Sequence, residues 1–530
     1  MFQLPRAALL TFICLFAQSC NQLVKMTDNS YYEKIDPKKG SDHFKIVFSH
    51  NINGETHPCG CRKFPLGGLP QVAGYQHEAE KNSHLVYVDT GDMLFPSTKI
   101  PEALKDSTTF SAQSLVQAQT KMGLDLFVPG DQDFALGEEY LSKISKKGGF
   151  TFLLSNLKKG SAIKSKKFSA LKAGEREVYF LGVVNPNLLS GKIKNLFEDP
   201  VVALKKVLKA LKKEKGSLKN KTIILLSHSG MEYDKFLAKK FPELDWIIGA
   251  HSQSFLKEPE VVGKVNIVQA LSRNHYMGEI KIPFNVEKEA QYKLVAIDEH
   301  SEKKMPDNPF ISWLAKYKSE LDKIQKTEQK KLVVQDRQGA KATTYIGCSE
   351  CHKEQTDFWQ ETSHALAWQT LVKSKAANNP ECIQCHSLNF QKPSGFSSSA
   401  SVVQGESLNE KKLDQYWKEV NSVFKGVDSI RALAAKKREA LSDEWIKIDH
   451  KRGVERNFAN VQCLHCHNQH PEHPFEMEKP AKPDYSVSCL SCHTRDQSPE
   501  WYHKDQKGLA TEVNKTYVDE KVKELACPKL

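Results

Sequence analysis

Between Phe44 and about Ile297, short apolar runs of strand length alternate with segments whose apolar residues recur at helical spacing. The strand-like runs are Lys45–Ser49, Leu85–Asp89, Leu126–Val128, Phe150–Leu154, Val178–Val184, Thr222–Ser227 and Trp246–Ile248, and the helical ones include Ser111–Met122 and Val201–Lys213. This alternation predicts an α/β domain with a largely buried sheet over residues 44–300. From 301 to 344 the chain turns charged and mostly helical in period. Trp313, Leu314, Tyr317 and Leu321 form one stripe there, best explained by core packing, and Lys326–Lys341 reads as a connecting segment. Residues 345–530 form a further domain. Within it a Ser-rich loop, Ser397–Ser401, leads into a Lys/Glu-rich helical stretch from about Asn409 to Ala440, whose Leu413, Trp417, Val420 and Phe424 share a face.

The first residues follow a different pattern. Residues 1–19 carry Arg6, the apolar run Ala7–Phe16 and then small or polar residues, which predicts a secretory leader too short for a comfortable membrane span. Ala17-Gln18-Ser19-Cys20 matches a bacterial lipobox in part, since Leu is usual three residues before the Cys and Gln18 is atypical. Lipidation of Cys20 is the expectation, with an ordinary signal peptide as the alternative. Residues 20–43 read as a polar tether.

Composition changes this picture little. The 530 residues allow two to four domains, and 39% hydrophobic content suits a globular chain. A formal charge of +12 would suit an anionic partner, but the Lys residues are scattered along helical segments. Cysteine usage is more telling. Of 13 cysteines, Cys14 and Cys20 fall in or at the end of the leader, and eight lie in a repeated pattern. Cys59, Cys61 and Cys527 are left, with no conventional disulfide framework.

The repeated pattern is Cys348-Ser-Glu-Cys351-His352, Cys382-Ile-Gln-Cys385-His386, Cys463-Leu-His-Cys466-His467 and Cys489-Leu-Ser-Cys492-His493. Two thiols one helical turn apart can form thioethers with the two porphyrin vinyl groups, and the adjacent His then reaches the iron. One copy would also suit a zinc half-site or a redox dithiol; four, each with His in fifth place, predict four covalent haem c groups. Their eight propionates, roughly eight negative charges, offset most of the basic excess, and no nucleic-acid partner is expected.

Polar clusters follow the N-terminal strands, where open α/β sheets place their sites. They are Asn51-Ile-Asn53-Gly54, Asp89-Thr-Gly91-Asp92, Gly130-Asp131-Gln132-Asp133, Ser227-His228-Ser229-Gly230 and Gly249-Ala-His251-Ser-Gln253. In this order they resemble the calcineurin-like metallophosphoesterases, specifically the periplasmic 5′-nucleotidase/UDP-sugar hydrolase branch, over roughly residues 44–297. The resemblance implies an α/β metallophosphoesterase-like sandwich in which a bridging Asp holds two divalent metals that activate water against a phosphoester. It makes Asp92 the bridge, and Asp92, Asp131 (an Asn in the family), His228 and His251 the second-metal set. The first-metal set would need an Asp and a His where Asn51 and Asn53 stand, although Gln253 matches the branch's Gly-His-Ser-Gln variant. Gln132 replaces the family's catalytic His, and Ala135 the Asp that orients it.

Two amides in place of an anion and an imidazole weaken a divalent site. Loss of the His removes charge stabilisation from the transition state. The branch's nucleotide-binding second domain is replaced by the haem segment. With these departures the expectation is the fold with one divalent metal ion, without efficient nucleotidase activity. Gly67-Gly68 matches the family's glycine pair near the metals. Cys59 and Cys61, just before it, suit either a thiolate or redox-sensitive pair or two structural thiols.

From Tyr345 the text Tyr-Ile-Gly-Cys-Ser-Glu-Cys-His, Trp359, Thr362-Ser-His364-Ala, Cys382…His386, Gly395-Phe396, Val461-Gln-Cys463…His467 and Cys489…His493 with Ser498-Pro499 resembles the cytochrome c-554-type tetraheme family. The resemblance covers most of 345–505; residues 397–460 are unusual for the family. It implies a mainly α multihaem domain that carries electrons between periplasmic redox enzymes; some relatives reduce nitrogen oxides. The motif histidines are the proximal ligands, and His364, His450, His465, His470, His473 and His503 are candidates for the distal positions. The family context favours His364 and His473, with His470 a rival to His473; one five-coordinate haem is an alternative.

The expected function is that of an exported, lipid-anchored tetrahaem cytochrome for periplasmic electron transfer, with a degenerate metallophosphoesterase-like domain. Its partners would be periplasmic or membrane redox proteins, and it would meet the membrane through the lipid anchor. The alternatives are a metal-dependent nucleotidase-like hydrolase with an accessory haem domain, or a multihaem reductase of a small substrate.

Overall fold

The computed structural model describes residues 32–35, 41–58, 65–218, 220–332, 342–467, 484–495, 497–504 and 510–528. The leader, Cys20, Cys59, Cys61, His470 and His473 lie outside the described residues. The chain divides into two compact units, one drawn from residues 1–58, 64–100 and 108–314, the other from 59–63, 101–107 and 315–530. The division falls inside the helix Pro309–Leu332, so Lys326–Leu332, read above as connecting chain, is helical.

The first unit holds thirteen described strands in two sheets. They are β1 (Tyr32–Ile35), β2 (His43–Ser49), β3 (His84–Asp89), β4 (Leu124–Phe127), β5 (Thr151–Phe152), β6 (Phe168–Ala173), β7 (Arg176–Val184), β8 (Lys221–His228), β9 (Trp246–Gly249), β10 (Glu260–Val262), β11 (Val265–Val268), β12 (Tyr276–Pro283) and β13 (Gln291–Ala296). One sheet has the order β13-β12-β2-β3-β4-β5, the other β1-β6-β7-β8-β9-β11-β10. The central pairs β2–β3, β3–β4, β7–β8 and β8–β9 are parallel. The strand read as Phe150–Leu154 pairs with β4 only over Thr151–Phe152, because β4 ends at Phe127, whose carbonyl accepts the Leu153 N–H, and the Leu154 N–H turns to the Lys166 carbonyl.

Period-two alternation explains why strands that read as wholly apolar can be satisfied. Val178 and Phe180 of β7, Ile224 and Leu226 of β8 and Ile248 of β9 join Phe48, Val88 and Phe127 of the other sheet in one core. The intervening Tyr179, Leu181, Val183, Ile223, Leu225 and Ile247 pack a second core with Leu204, Leu208 and Leu211 of the helix Pro200–Lys215 and with Leu237 and Phe241. The result is an α/β sandwich, as expected.

The second unit is mainly helical. Its chief core gathers Leu366, Trp368, Ile383, Phe396, Tyr416, Val420, Phe424, Trp445 and Phe458. The stretch read as one helix from Asn409 to Ala440 is two, Glu410–Val423 and Ala435–Arg452. Gly426, at φ 77°, takes the left-handed turn that ends the first. The expected apolar face does pack inward, with Val420 and Phe424 buried and Leu413 and Trp417 against the core. No described helix is long and apolar enough to cross a membrane.

Gly182 shows how tightly β7 is held. Its carbonyl accepts the Ser155 N–H at 2.6 Å, and a Cβ there would lie 2.0 Å from the Leu153 carbonyl oxygen. Gly182→Ala is expected to cost about 1–3 kcal/mol by overpacking, read as a lower thermal midpoint of the full-length protein.

Candidate metal and haem sites

The parallel register brings the carboxyl ends of β2, β3 and β4 level, with Ser49 opposite Asp89 and Asp89 opposite Phe127. On the other sheet Ser227 lies opposite Gly249. The loops that follow converge Asp92, Asp131, His228 and His251, each offering one ligand atom, with those atoms within 4.8 Å of one another. His251 Nδ1 and His228 Nε2 approach the same Asp131 Oδ1, at 3.0 and 3.1 Å, and His228 Nε2 lies 3.4 Å from Asp92 Oδ2. The Asp92 and His228 side chains are wholly buried, while that of His251 is 36% exposed, so the cluster opens to solvent on the His251 side. Gln253, two residues on, is half-buried.

Such closeness needs close-approaching backbone. A Cβ on Gly130 would meet Asp92 Oδ1 at 2.2 Å and His228 Cε1 at 2.4 Å; one on Gly91 would meet the Gly130 N at 2.4 Å. Asn51, Asn53, Asp92, His251 and Gln253 all have left-handed backbone, with φ from 48° to 70°. Outside glycine that conformation is uncommon, and it gathers at functional sites.

The donor chemistry fits a divalent cation. His228 Nδ1 donates to the Thr90 carbonyl at 2.7 Å, which turns Nε2 toward two carboxylates. A lone pair aimed at two anions is repelled unless a proton or a cation lies between them. Burial alone would lower the His228 pKa, but the charges and hydrogen bonds of Asp92 and Asp131 raise it well above the usual value. Burial likewise works to raise Asp131, and its bonds to His228 and His251 more than reverse this. With neutral His ligands, a divalent ion would balance the two carboxylates.

Two residues to which the sequence pattern gave no role support this site. His50 is buried, and burial holds its pKa down near 4, so it is neutral; its Nε2 accepts the Ala270 N–H at 2.7 Å and its Nδ1 donates to Asn51 Oδ1 at 2.9 Å. Asp133 takes backbone N–H groups from Asp92, Gly130 and Leu94 at 2.7–2.8 Å. Their signals were present, a His at a strand end and an Asp in a turn, but neither belonged to a ligand pattern. A cavity of about 500 Å³, lined by Ser229, Gly230, Met231, Glu232, Tyr233 and Ser252, lies along the residues that follow His228 and His251.

In the second unit the four Cys-x-x-Cys-His motifs sit on or beside short helices, with Cys348 in Tyr345–Ser349 and the others in Pro380–His386, Cys463–Cys466 and Tyr485–Leu490. None of the eight thiols is in a disulfide. Motifs one and three adjoin through Cys348 and Cys463, and motifs two and four through Cys385 and Cys492. His386 Nδ1 donates to the Ala367 carbonyl at 2.7 Å, leaving Nε2 for a ligand. His493 Nδ1 bonds Ser498 Oγ at 2.9 Å, and its ring stacks on Trp501 with centroids 4.1 Å apart. His467 is exposed beside Tyr485, and His352 is half-buried. These thiols and rings fit covalent haem with imidazole ligation.

The distal candidates separate. His364 is half-buried; burial first, then the nearby His493, His465 and His386, depress it to about 4, so it offers a neutral ring among the motif histidines. His465 must be withdrawn as a candidate: its Nδ1 accepts the Gln462 N–H at 3.0 Å and its Nε2 donates to the Ser387 carbonyl at 3.1 Å, which occupies both nitrogens. His450 and His503 are exposed.

The segment 457–462 ties these parts together. Gln462 Nε2 donates to the Asn457 and Ala459 carbonyls at 2.6 Å each, and its Oε1 accepts the Tyr345 N–H at 2.8 Å. Asn460 N–H meets the His386 carbonyl at 3.0 Å, and Val461 N–H the His364 carbonyl at 3.2 Å.

Different parts of the chain are similar to different known proteins. Residues 347–407 and 417–494 match the family described as cytochrome c554 and c-prime. The chain is 28% identical to the 5′-nucleotidase of Bos taurus over 249 residues, 42% of each chain. It is 29% identical to the apyrase of Aedes aegypti over 185 residues, 29% of this chain and 32% of that one. Among solved structures, the 5′-nucleotidase precursor of Thermus thermophilus aligns over 53% of this chain and 59% of its own, with 19% identity and a TM-score of 0.44. The chain thus spans less than half the length of the curated relatives it matches.

Asp131→Ala removes the oxygen shared by both imidazoles and is expected to weaken Mn²⁺ binding at least about tenfold, measured by titration of the full-length protein. Gln462→Ala strands the Tyr345 N–H and two carbonyls; a loss of about 1–3 kcal/mol is expected, read as a lower unfolding midpoint at unchanged haem content.

Proposed function

We propose that this chain, which joins a 5′-nucleotidase-like region to a cytochrome c554-type segment, is an exported tetrahaem electron-transfer protein whose N-terminal domain (44–300) binds a divalent cation without efficient phosphoester hydrolysis. One observation carries the reading: all four Cys-x-x-Cys-His motifs are complete, whereas Asn51, Asn53 and Gln132 stand where hydrolysis would need an anion, an imidazole and an acid. Haem, when bound, supplies one-electron chemistry. The chain's residues do the rest. Cys348, Cys351, Cys382, Cys385, Cys463, Cys466, Cys489 and Cys492 hold the groups covalently, and His352, His386, His467 and His493 ligate them. The Ala367 carbonyl and Ser498 hydroxyl fix two of those rings. His364 and His473 are the preferred distal ligands.

The leader-like residues 1–19 and the covalent attachment chemistry support export, and Cys20 supports a lipid anchor on the periplasmic side of a bacterial membrane. Redox proteins of the periplasm or membrane are the partners this reading implies. A hydrolase reading is favoured by one observation, the intact Asp92, Asp131, His228 and His251 cluster with a cavity beside it.

Haem quantitation of the mature protein is expected to give four groups per chain, and His364→Ala to convert one low-spin haem to a high-spin form in the oxidised spectrum. Phosphoester turnover with added Mn²⁺ is expected to be the same in the wild type and Asp92→Ala; turnover that depends on Asp92 would establish the hydrolase reading instead.

A further inference from the structure

The lone pairs of Asp92 are partly committed. Oδ1 accepts the Gln132 backbone N–H at 2.9 Å, and Oδ2 accepts the Asn51 side-chain amide at 2.9 Å. The direction of that amide is fixed by its surroundings. Asn51 Oδ1 accepts the His251 backbone N–H at 3.1 Å, a donor that cannot change role. It also accepts from His50 Nδ1, which must donate because the Ala270 N–H occupies His50 Nε2. Turning the amide over would set N–H groups against both donors and an oxygen against the Asp92 carboxylate. Asn51 therefore has no lone pair to offer a metal, and it presents a partial positive charge to Asp92.

Charge argues the same way. Asp92 and Asp131 bring two negative charges, and His228 and His251 as neutral ligands bring none, so one divalent cation leaves the cluster balanced. Asp89 and Asp133, the other buried carboxyls there, spend their oxygens on Ser49, Gly91, Asp92, Leu94 and Gly130. Among the described residues a second cation would therefore find no free carboxylate beside Asp92 and Asn51, both fully buried. On that side Asn53 Oδ1 is a buried acceptor with no hydrogen-bond partner, but one neutral oxygen supplies no counter-charge.

We propose that the N-terminal site is mononuclear: Asp92, Asp131, His228 and His251 hold one divalent cation, and the Asn51 amide, oriented by His50 and the His251 N–H, stands against Asp92 where a second would have to bind. This departs from the two-metal centre that the phosphoesterase resemblance implies, and it rests on the reading of the cluster as a cation site.

The test uses full-length, haem-loaded protein with Mn²⁺ as probe. Stoichiometry is read by equilibrium dialysis, and electron paramagnetic resonance is recorded after reduction, when low-spin haem iron is silent. One Mn²⁺ per chain with the hyperfine pattern of an isolated ion is expected. Two per chain with an exchange-coupled spectrum would overturn the mononuclear assignment while leaving the cluster a metal site; no bound Mn²⁺ would overturn both. The double variant Asn51→Asp/Asn53→His, with haem content as the check on folding, is expected to gain a second ion. A folded double variant still holding one would show that the Asn51 amide is not what excludes the second.

Discussion

The N-terminal site depends on a carboxylate that is not among its ligands. Asp133 is fully buried, and it draws the N–H groups of Asp92, Leu94 and Gly130 onto its two oxygens, which pins the loop after β3 to the loop after β4. Without that tie neither the left-handed turn at Asp92 nor the contact of Gly130 with the Asp92 carboxylate would be held. Burial, with Asp92's charge adding to it, pushes the Asp133 carboxyl up to about 8, against its three N–H donors. Buried Asp89, raised to about 7 for the same leading reason, shows how poorly this pocket tolerates negative charge. A cation between Asp92 and Asp131 would relieve it.

The haem-bearing unit answers a different problem. Covalent attachment fixes where each group hangs, but the imidazoles must still be aimed, and this falls to short-range hydrogen bonds from ordinary backbone. The run from Asn457 to Gln462 meets the chain at Tyr345, His364 and His386, so one short segment, bent at Asn460, sets the spacing of two motifs and one distal candidate. A buried group lies behind it: Asp449 accepts from Tyr345, Tyr416 and Asn457. Tyr345 belongs to the helix that carries Cys348, and Tyr416 to the Glu410–Val423 helix. That places the Glu410–Val423 helix inside the support of the first motif, and of residues 397–460, read above as unusual for the family, only 408–416 fall outside the cytochrome c554 match.

Much of this was legible in the sequence because the chemistry is local. Cys348 to His352 is one helical turn, and Asp89 to Asp92 is one strand end, so spacing alone marks them. The apolar runs revealed β7, β8 and β9 because both faces of those strands are buried. Position-by-position signals failed where a residue acts through tertiary neighbours. Nothing in the text around His465 shows that the Ser387 carbonyl will occupy its second nitrogen. His50 is indistinguishable from a core histidine until Asn51 and Ala270 are placed beside it. The break at Gly426 was hidden by Lys and Glu residues that suit a helix on either side.

The backbone of the N-terminal site bears on whether its loss of catalytic groups is also loss of purpose. His251 and Gln253 sit at φ 70° and 50°, a conformation costing about 1–3 kcal/mol for such residues when nothing compensates it. Asp92 and His228 are a fully buried anion and imidazole, held 3.4 Å apart. A fold that used these loops only as connections could relax both costs with glycine, asparagine or apolar side chains. Here the ligating groups stay in strained, desolvated places, while the neighbouring positions 51, 53 and 132 carry neutral amides. The combination suits the proposed reading, in which the cluster would hold one ion and would lack an acid or second metal to drive a leaving group.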